Sequence, residues 1–392
     1  MASSPAPLQP LDLALQGGGS HGAFTWGVLD GLLDDETLEF SCISGTSAGA
    51  LNAAVMATGL VAGGRAGARN AMRAFWHDVS RTGAIFSPLP TAPTGNPFSL
   101  ENLPGYQWMN SFFRSFSPYE FNPLNLNPLR EVVQRHVDVH AVQRCATRLF
   151  VTATSVHTGE PRVFDAPELS IDVLLASACL PFVFQAVEID GEPYWDGGYT
   201  GNPALYPLIY DSHALDILLV KINPLSRLGT PKRSMEIIDR LNEITFNASL
   251  IAEMRAIQFV SRLLHEQKLD PGRYKDLRLH MVADDEGLAP FNASSIAEMR
   301  AIQFVSRLLH EQKLDPGRYK DLRLHMVADD EGLAPFNASS KFNTELAFLE
   351  QLFTLGRTAA LGWLKKHRAA IGVRGTLNIE ETFLARPHRK RP

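Results

Sequence analysis

The sequence predicts an α/β fold in which helices cover both faces of a mostly parallel β-sheet. Short apolar runs typical of buried strands recur between longer runs that have helical spacing, and this alternation indicates β-α-β units. Two strand-to-helix junctions are rich in glycine, and sites in such folds lie at the carboxyl ends of strands. The strand-like runs include 149–153, 217–222 and 277–282, and the helix-like runs include 70–79, 172–179 and 234–244.

The first junction follows an alternating apolar strand at residues 11–15 and opens a helix-like run. It contains Gly17, Gly18 and Gly19, whose amides can approach a ligand closely because glycine lacks a Cβ atom. Gly22 completes the motif. This arrangement predicts a backbone cradle for an anion, at the carboxyl end of the strand.

A nucleotide site is the rival interpretation of this loop, because Gly17, Gly19 and Gly22 also fit the dinucleotide-binding fingerprint. That motif needs an acidic residue at the end of a second strand about 20 residues on, and a nucleotide-phosphate loop needs Gly-Lys-Ser/Thr. The chain has neither feature at those places. An oxyanion hole therefore fits the loop better than a cofactor site.

The second junction places Ser47 between Gly45 and Gly49, after an apolar strand and before the alanine-rich run 48–60. Glycines two residues before and after a serine permit the sharp turn of a nucleophile elbow, which exposes the hydroxyl above the sheet. The following helix N-terminus favours negative charge. A chance glycine turn is the alternative, and the upstream glycine loop argues against it.

A serine nucleophile needs a proton acceptor, and Asp196 is the strongest candidate. It follows an apolar stretch and precedes Gly197 and Gly198. An ordinary β-turn would also explain this string, yet an aspartate in a partly dry site can act as a base. The late histidines show no clear catalytic signature; they include His280, His325 and His388.

The order and spacing of three motifs resemble those of the patatin-like phospholipases over roughly residues 10–210. The motifs are Gly17-Gly18-Gly19-x-x-Gly22, Gly45-x-Ser47-x-Gly49 and Asp196-Gly197-Gly198, and Ala176-Ser177-Ala178-x-x-Pro181 and Asn202-Pro203 add to the likeness.

The resemblance implies a three-layer α/β/α sandwich and a serine acyl hydrolase with a Ser-Asp dyad. Ser47 would be the nucleophile, Asp196 the base, and the amides of Gly17, Gly18 and Gly19 the oxyanion hole. Phospholipids or lysophospholipids would be the substrates. Many members of the family carry Lys or Arg where this chain has His21; His21 would give weaker, pH-dependent help to the oxyanion, or would serve only to start the helix.

Composition narrows the remaining classes of function. The net charge of −5 implies no general attraction to nucleic acid, and the three cysteines do not suggest a disulfide framework. No ligand cluster has the spacing of a metal site, so we expect no cofactor. The N-terminus has no signal-peptide pattern, which favours a cytoplasmic enzyme with optional peripheral contact to membranes. The oligomeric state stays open.

Residues 86–130 are rich in Pro and Asn with interleaved aromatics, and we expect no regular element there. One interpretation is a lid or acyl-chain wall beside Ser47 that touches lipid through its aromatics. The other interpretation is an irregular loop that packs on the core.

The chain divides into a predicted catalytic domain at residues 8–225 and an extension at 226–392 that resembles one seen in a bacterial subgroup of the family. The extension contains a tandem duplication, in which 251–295 and 296–340 are identical. Since one docking slot cannot take two copies, we predict that one copy packs on the catalytic domain. The other copy would be extruded or poorly docked. The basic residues 386–391 are expected to be a solvated tail.

Two other functions stay open at this point. A Ser-His-Asp esterase or thioesterase acting on soluble acyl esters would need a histidine base that the sequence does not reveal. A non-catalytic lipid-binding protein would keep the fold without using Ser47.

Overall fold

The computed structural model describes residues 8–83, 115–226, 229–232, 234–266, 322–333, 335–336 and 339–384. In these ranges eight strands form one mixed sheet with the order β5-β6-β3-β2-β1-β7-β8, and β4 pairs with β3. The strands are β1 Gln9–Leu15, β2 Leu38–Thr46, β3 Arg148–Ser155, β4 Pro161–Phe164, β5 Val187–Ile189, β6 Glu192–Asp196, β7 Asp216–Val220 and β8 Arg323–Val327.

The centre of the sheet is parallel and one side is antiparallel. β1 pairs in parallel with β2 and β7, and the parallel set continues to β3 and β8. β4 and β6 both run antiparallel to β3. The longer helices are α1 Gly22–Leu32, α2 Ala48–Gly83, α4 Pro128–His136, α5 Val139–Arg144, α6 Ile171–Ser177, α7 Tyr206–Asp211, α8 Ser234–Glu266 and α10 Leu346–His367, and the short ones are α3 Pro118–Phe121 and α9 Asp330–Leu333.

Alternation along the strands builds a core on each face of the sheet. Leu11, Leu13 and Leu15 of β1 belong to a cluster that includes residues of α1, α2 and α10. Ala14 belongs to a second cluster with residues of α7 and α8. Because neighbouring strand residues point to opposite faces, the helices cover both sides, and the predicted three-layer α/β/α sandwich is confirmed.

The described residues of the extension are built into this sandwich. β8 pairs with β7 and lengthens the sheet, while α10 packs closely on α1. At that crossing the rings of Trp26 and Phe353 lie 4.2 Å apart between centroids, and a Cβ on Gly356 would clash with the backbone carbonyl of Phe24. The domain division at residue 225 stays a prediction.

One local expectation is confirmed and one needs correction. α2 is kinked at Gly63 and Gly64, whose dihedral angles are not helical, so the alanine-rich run and the run at 70–79 form its two halves. The segment 86–130 was expected to lack regular elements, yet α3 lies within it and α4 begins at Pro128. A proline at the first helical turn and a side chain at the cap start each helix. The part of the lid hypothesis at 86–114 falls outside the described residues.

The described parts of the duplication come from different copies. α8 runs into the first copy and covers 251–266, whereas β8 belongs to the second copy. The strand expected at 277–282 lies outside the described residues, and its identical counterpart 322–327 contains β8. No segment of the 45-residue unit is therefore described twice. Among the helices of the described ranges, none is long and apolar enough to cross a membrane.

Candidate active site

The register of the sheet brings the ends of β2 and β6 together. Residues 151 and 152 of β3 pair with both β2 and β4, so those two strands occupy opposite edges of β3. Residues 153 and 154 pair with both β4 and β6, which puts β6 on the same edge as β2. Thr46 lies opposite Thr152 and Asp196 lies opposite Ala153. β2 and β6 therefore run toward each other along the same edge of β3, and Ser47, the residue after β2, lies next to Asp196 at the end of β6.

Ser47 occupies the turn between β2 and α2 with a φ of 53°. A non-glycine residue in this left-handed region is strained by about 1–3 kcal/mol and persists only when its surroundings hold it. Its amide donates to Ser177 Oγ at 2.8 Å, and the Ser177 hydroxyl donates to the Thr152 carbonyl at 2.6 Å. Ser177 thus ties the elbow to the central strand, and Ser47 is 7% exposed.

Asp196 Oδ1 accepts a hydrogen bond from the Gly198 amide at 2.7 Å, and the Ser47 side chain lies close enough to lower the pKa of its carboxyl. Its own amide donates to the Cys179 carbonyl at 2.8 Å. The residue is 1% exposed, and burial raises the pKa of its carboxyl to about 7, against the lowering effect of the Gly198 amide, Ser47 and Lys341. A carboxylate with such a pKa can take a proton at neutral pH and return it.

The supporting glycines predicted from the sequence lie where backbone and side chains pack too closely for a Cβ atom. Gly45 and Gly49 adjoin the elbow and the end of β1, Gly22 packs on Ala48, and Gly197 lies against the Thr152 carbonyl. Gly198 packs on the ring of Phe246.

The glycine loop lies directly against the nucleophile. A Cβ on Gly17 would be 2.6 Å from the Cβ of Ser47, so only glycine permits this approach. Gly19 has a φ of 57°, in the region that favours glycine. The Gly17 amide, however, donates to Asn202 Oδ1 at 2.6 Å. This bond conflicts with the expectation that Gly17 donates to an oxyanion.

Buried amide side chains fix the glycine loop. Gln16 Oε1 accepts from the amides of Ile222 and Asn223 at 2.9 and 3.0 Å. Asn223 Nδ2 donates to the Gly17 carbonyl at 2.7 Å. The loop is thus held on one side by Asn202 and on the other by the segment after β7. Within the described residues, no acceptor is found for the amides of Gly18 and Gly19.

His21 is directed toward the extension. It is 3% exposed, and its Nε2 shares a 2.7 Å hydrogen bond with Ser340 Oγ. Its ring also packs near Phe336 and Phe348 at centroid distances of 6.1 and 6.2 Å. These contacts join the residue before α1 to the extension, and the His21 side chain makes no capping hydrogen bond to that helix.

His325, one of the histidines considered as a base, lies elsewhere in the sheet. Its ring nitrogens contact Asp216 and Thr376, each at 2.9 Å. Three strand steps separate β8 from β2, which is about 14 Å at the usual strand spacing. His280 and His388 fall outside the described residues.

Several residues of the site received no role from the sequence. Ser177 and Asn202 stand in strings that carried the family resemblance, which was a usable signal. The sequence carried no signal for Asn223 and Lys341, because these residues reach the glycine loop only through the packing of β7 and the extension. Within the described ranges, no group of His, Cys, Asp and Glu could hold a metal ion.

A comparison with family models decides the family of the chain. The model described as "Patatin-like phospholipase" matches residues 13–209, just over half of the chain. The chain belongs to this family. The match contains the glycine loop, the elbow and Asp196, and it ends before Asn223. A comparison with curated proteins found no match.

The patatin-like chain also has distant similarity to solved structures. The crystal structure of VipD from Legionella pneumophila is 14% identical with a TM-score of 0.32, and the alignment covers 97% of this chain and 83% of that one. The type III effector ExoU is 19% identical with a TM-score of 0.24 and coverages of 97% and 69%. The complex of SpcU with ExoU from Pseudomonas aeruginosa gives 13% identity, a TM-score of 0.26 and coverages of 94% and 79%. All three TM-scores are too low to carry an argument about activity.

Proposed function

We propose that the protein is a serine acyl hydrolase that cleaves acyl esters of phospholipids or lysophospholipids through a Ser47–Asp196 dyad. The observation that carries the proposal is the position of Ser47 at the end of β2, next to Asp196, a buried carboxyl whose pKa is raised to about 7. The family supports a lipid acyl hydrolase in general. The dyad, the substrate class and the site residues are our own assignments.

In the proposed first step, Ser47 Oγ attacks the ester carbonyl while its proton moves to Asp196. The negative charge that develops on the carbonyl oxygen is held by the amides of Gly18 and Gly19. Each such donor is worth about 3–4 kcal/mol of barrier. Asp196 then gives the proton to the leaving alcohol, and an acyl-Ser47 ester remains.

The second step reverses the proton movement. Water gives a proton to Asp196 and attacks the acyl ester, and Asp196 returns that proton to Ser47 as the fatty acid leaves. The same carboxyl must therefore accept and donate, which a pKa close to the working pH favours. No metal ion or cofactor takes part in the proposed cycle.

A Ser-His-Asp mechanism is the main rival. The position of Ser47 beside Asp196, and of His325 about three strand spacings away, favours the dyad. A non-catalytic lipid-binding role would leave unexplained why a strained serine is kept beside a carboxylate of raised pKa.

An exposed apolar patch beside the site supports contact with a lipid surface. We define the patch by Phe116, Tyr119, Leu124, Leu126 and Phe182, which are 47–79% exposed. The segment that carries the first four docks on the loop between α6 and β5, through bonds such as that from the Ala186 amide to the Tyr119 hydroxyl at 3.3 Å.

That loop begins next to Cys179, whose carbonyl accepts a hydrogen bond from the amide of Asp196, so a short segment of chain connects the patch to the proposed base. We expect Leu124→Ser and Phe182→Ser to slow hydrolysis of phospholipid vesicles and to leave hydrolysis of a soluble ester unchanged. Val373→Ser, at a residue that is 71% exposed in the extension, is the matched control. Equal loss on both substrates would contradict a membrane role. A cytoplasmic location stays a prediction.

The function itself is tested by fatty-acid release from a panel of phospholipids, lysophospholipids and soluble esters. The wild type should release acid from glycerophospholipids or lysophospholipids, and Ser47→Ala and Asp196→Asn should not. Activity confined to soluble thioesters would move the assignment to the esterase alternative. Full activity of Ser47→Ala would overturn the proposal.

A further inference from the structure

A turn of the extension closes on the glycine loop. Residues Ser339–Phe342 form one 3₁₀ turn, and its contacts hold two points of the loop. Ser340 shares the hydrogen bond with His21. The backbone carbonyl of Lys341 packs on Gly19 so closely that a Cβ on that glycine would clash with it.

The Lys341 side chain continues from this turn toward the dyad. Its Nζ donates to Asn223 Oδ1 at 2.8 Å, and the same Asn223 donates through Nδ2 to the Gly17 carbonyl. The Nζ also lies 5.5 Å from the ring centroid of Phe246, and that ring packs on Gly198. One ammonium group thus contacts a neighbour of the glycine loop and a neighbour of the aspartate loop.

We propose that Lys341 is a positioning residue of the active site, which orients the glycine loop through Asn223 and places its ammonium charge next to the loop that carries Asp196. The inference rests on the proposed function, because it concerns the base of that reaction. Lys341 itself lies outside the stretch that matches the family model, which ends at residue 209.

Lys341 differs from the other groups that lower the pKa of Asp196. Lys341 lowers the pKa of Asp196 by charge, while the Gly198 amide and Ser47 lower it by hydrogen bonding. Two other titratable groups face this carboxyl. Burial and the charge of Asp196 raise the pKa of the Cys179 thiol to about 12 and raise the pKa of the Tyr199 hydroxyl, so both are neutral where Asp196 titrates.

The duplicated unit explains why the end of the second copy occupies this place. Ser340 ends the second copy and is followed by Lys341, whereas Ser295 ends the first copy and is followed by Ile296. An isoleucine has no cation to offer to Asn223 and Asp196. This difference in the following residue explains why the end of the second copy, rather than the end of the first, packs at the site.

The test measures how the rate at which a fluorophosphonate labels Ser47 depends on pH. The rate should rise as Asp196 loses its proton. Removing the ammonium raises the pKa of Asp196, so Lys341→Met should move the midpoint upward by about one unit, since a nearby opposite charge lowers a carboxyl pKa by about that much or more. At a pH below both midpoints, labelling should fall about tenfold, with recovery at alkaline pH.

The controls separate charge from folding. Lys341→Arg should restore the wild-type midpoint, and Lys341→Gln should repeat the shift of Lys341→Met. Lys366→Met removes an exposed lysine of α10 and should change nothing. A structural role alone would lower the melting temperature without moving the midpoint.

Superimposable profiles of Lys341→Met and the wild type would overturn the inference, as would a shift in Lys341→Arg equal to that in Lys341→Met. Labelling that persists in Ser47→Ala would instead overturn the proposed function. The two failures are therefore distinguishable.

Discussion

Two buried aspartates of the same sheet have pKa values that are shifted in opposite directions. Asp196 ends β6 and is 1% exposed, whereas Asp216 begins β7 and is 2% exposed. Burial alone raises the pKa of any carboxyl, and it does so for both. Yet the pKa of Asp196 is raised to about 7, and the pKa of Asp216 is lowered.

The partners of each carboxylate explain the difference. Asp216 binds the guanidinium of Arg323 at 2.7 Å, the ring of His325 at 2.9 Å and the Gly372 amide at 3.2 Å. Asp196 accepts a hydrogen bond from the Gly198 amide and has the Ser47 hydroxyl as its other neutral neighbour, and the ammonium of Lys341 acts on it by charge alone. A cation in direct contact fixes the negative charge, while neutral donors leave the carboxyl able to change its protonation state.

Residue types alone can suggest a catalytic site where the positions of the side chains do not. A buried Asp-His pair resembles part of a hydrolase triad, and it lies on β7 and β8 rather than at the serine. With both ring nitrogens of His325 engaged, the pair joins two strands and the segment around Thr376. The glycine-flanked elbow, rather than a histidine, marks the site.

The largest expected effect is a loss of activity, which we expect when Asp196 is replaced and not when Asp216 is replaced. Ser47→Ala and Asp196→Asn should each lower kcat/KM by about 10⁴-fold or more, and the double variant should be little worse, because residues that act as a unit are not additive. The check is fatty-acid release by the single and double variants. Multiplicative losses would mean that the two residues act separately.

Asp216→Asn makes the same chemical change at the other site and should act on stability instead. Removing one partner of a buried ion pair leaves the other charge uncompensated, so we expect a loss of about 3–5 kcal/mol in the free energy of unfolding. The pH profile of labelling should be unchanged. Denaturant unfolding and the labelling profile measure the two properties, and a shifted profile would contradict the structural role.

The two aspartates should also give stability opposite dependences on pH. The folded pKa of Asp216 lies below the ordinary value of 3.8 for this carboxyl, so its stabilising contribution is present above about pH 4 and is lost in stronger acid. The folded pKa of Asp196 is raised, so the folded state holds this proton more tightly, and stability falls as the pH rises from about 4 to about 7.

Asp196→Asn removes that penalty and should therefore melt higher than the wild type at pH 8, with little difference at pH 4. Asp216→Asn should melt lower than the wild type at pH 8, with the gap closing in acid. Melting temperatures of the three proteins at both pH values are the measurement. A lower melting temperature of Asp196→Asn at pH 8 would contradict the raised pKa.

The smallest effect is expected from removing one repeat. Because the copies are identical, deleting 251–295, 267–311 or 296–340 gives the same sequence, which still contains every described segment of the unit and keeps Lys341. This variant should refold with unchanged labelling and with stability no lower than that of the full chain. A less stable deletion variant would show that the 45 additional residues contribute to the stability of the fold.

Much of the fold and the proposed dyad could be predicted because the signals are local. Alternation in β1 gave the two faces, and glycines at fixed offsets pointed to Ser47 and Asp196. The two halves of α2 could be predicted because each has a helical pattern of its own, at 48–60 and at 70–79. The partner of the Gly17 amide could not be predicted, since Asn202 is 185 residues away in the chain. Lys341 was missed for the same reason, since its role depends on how the extension packs.

The most direct test compares fluorophosphonate labelling of Ser47 across pH in the wild type, Asp196→Asn and Asp216→Asn. We expect the wild type and Asp216→Asn to share a midpoint near pH 7, and Asp196→Asn to label slowly with no such midpoint. Wild-type labelling in Asp196→Asn would contradict the account, because Ser47 would then lose its proton to another group.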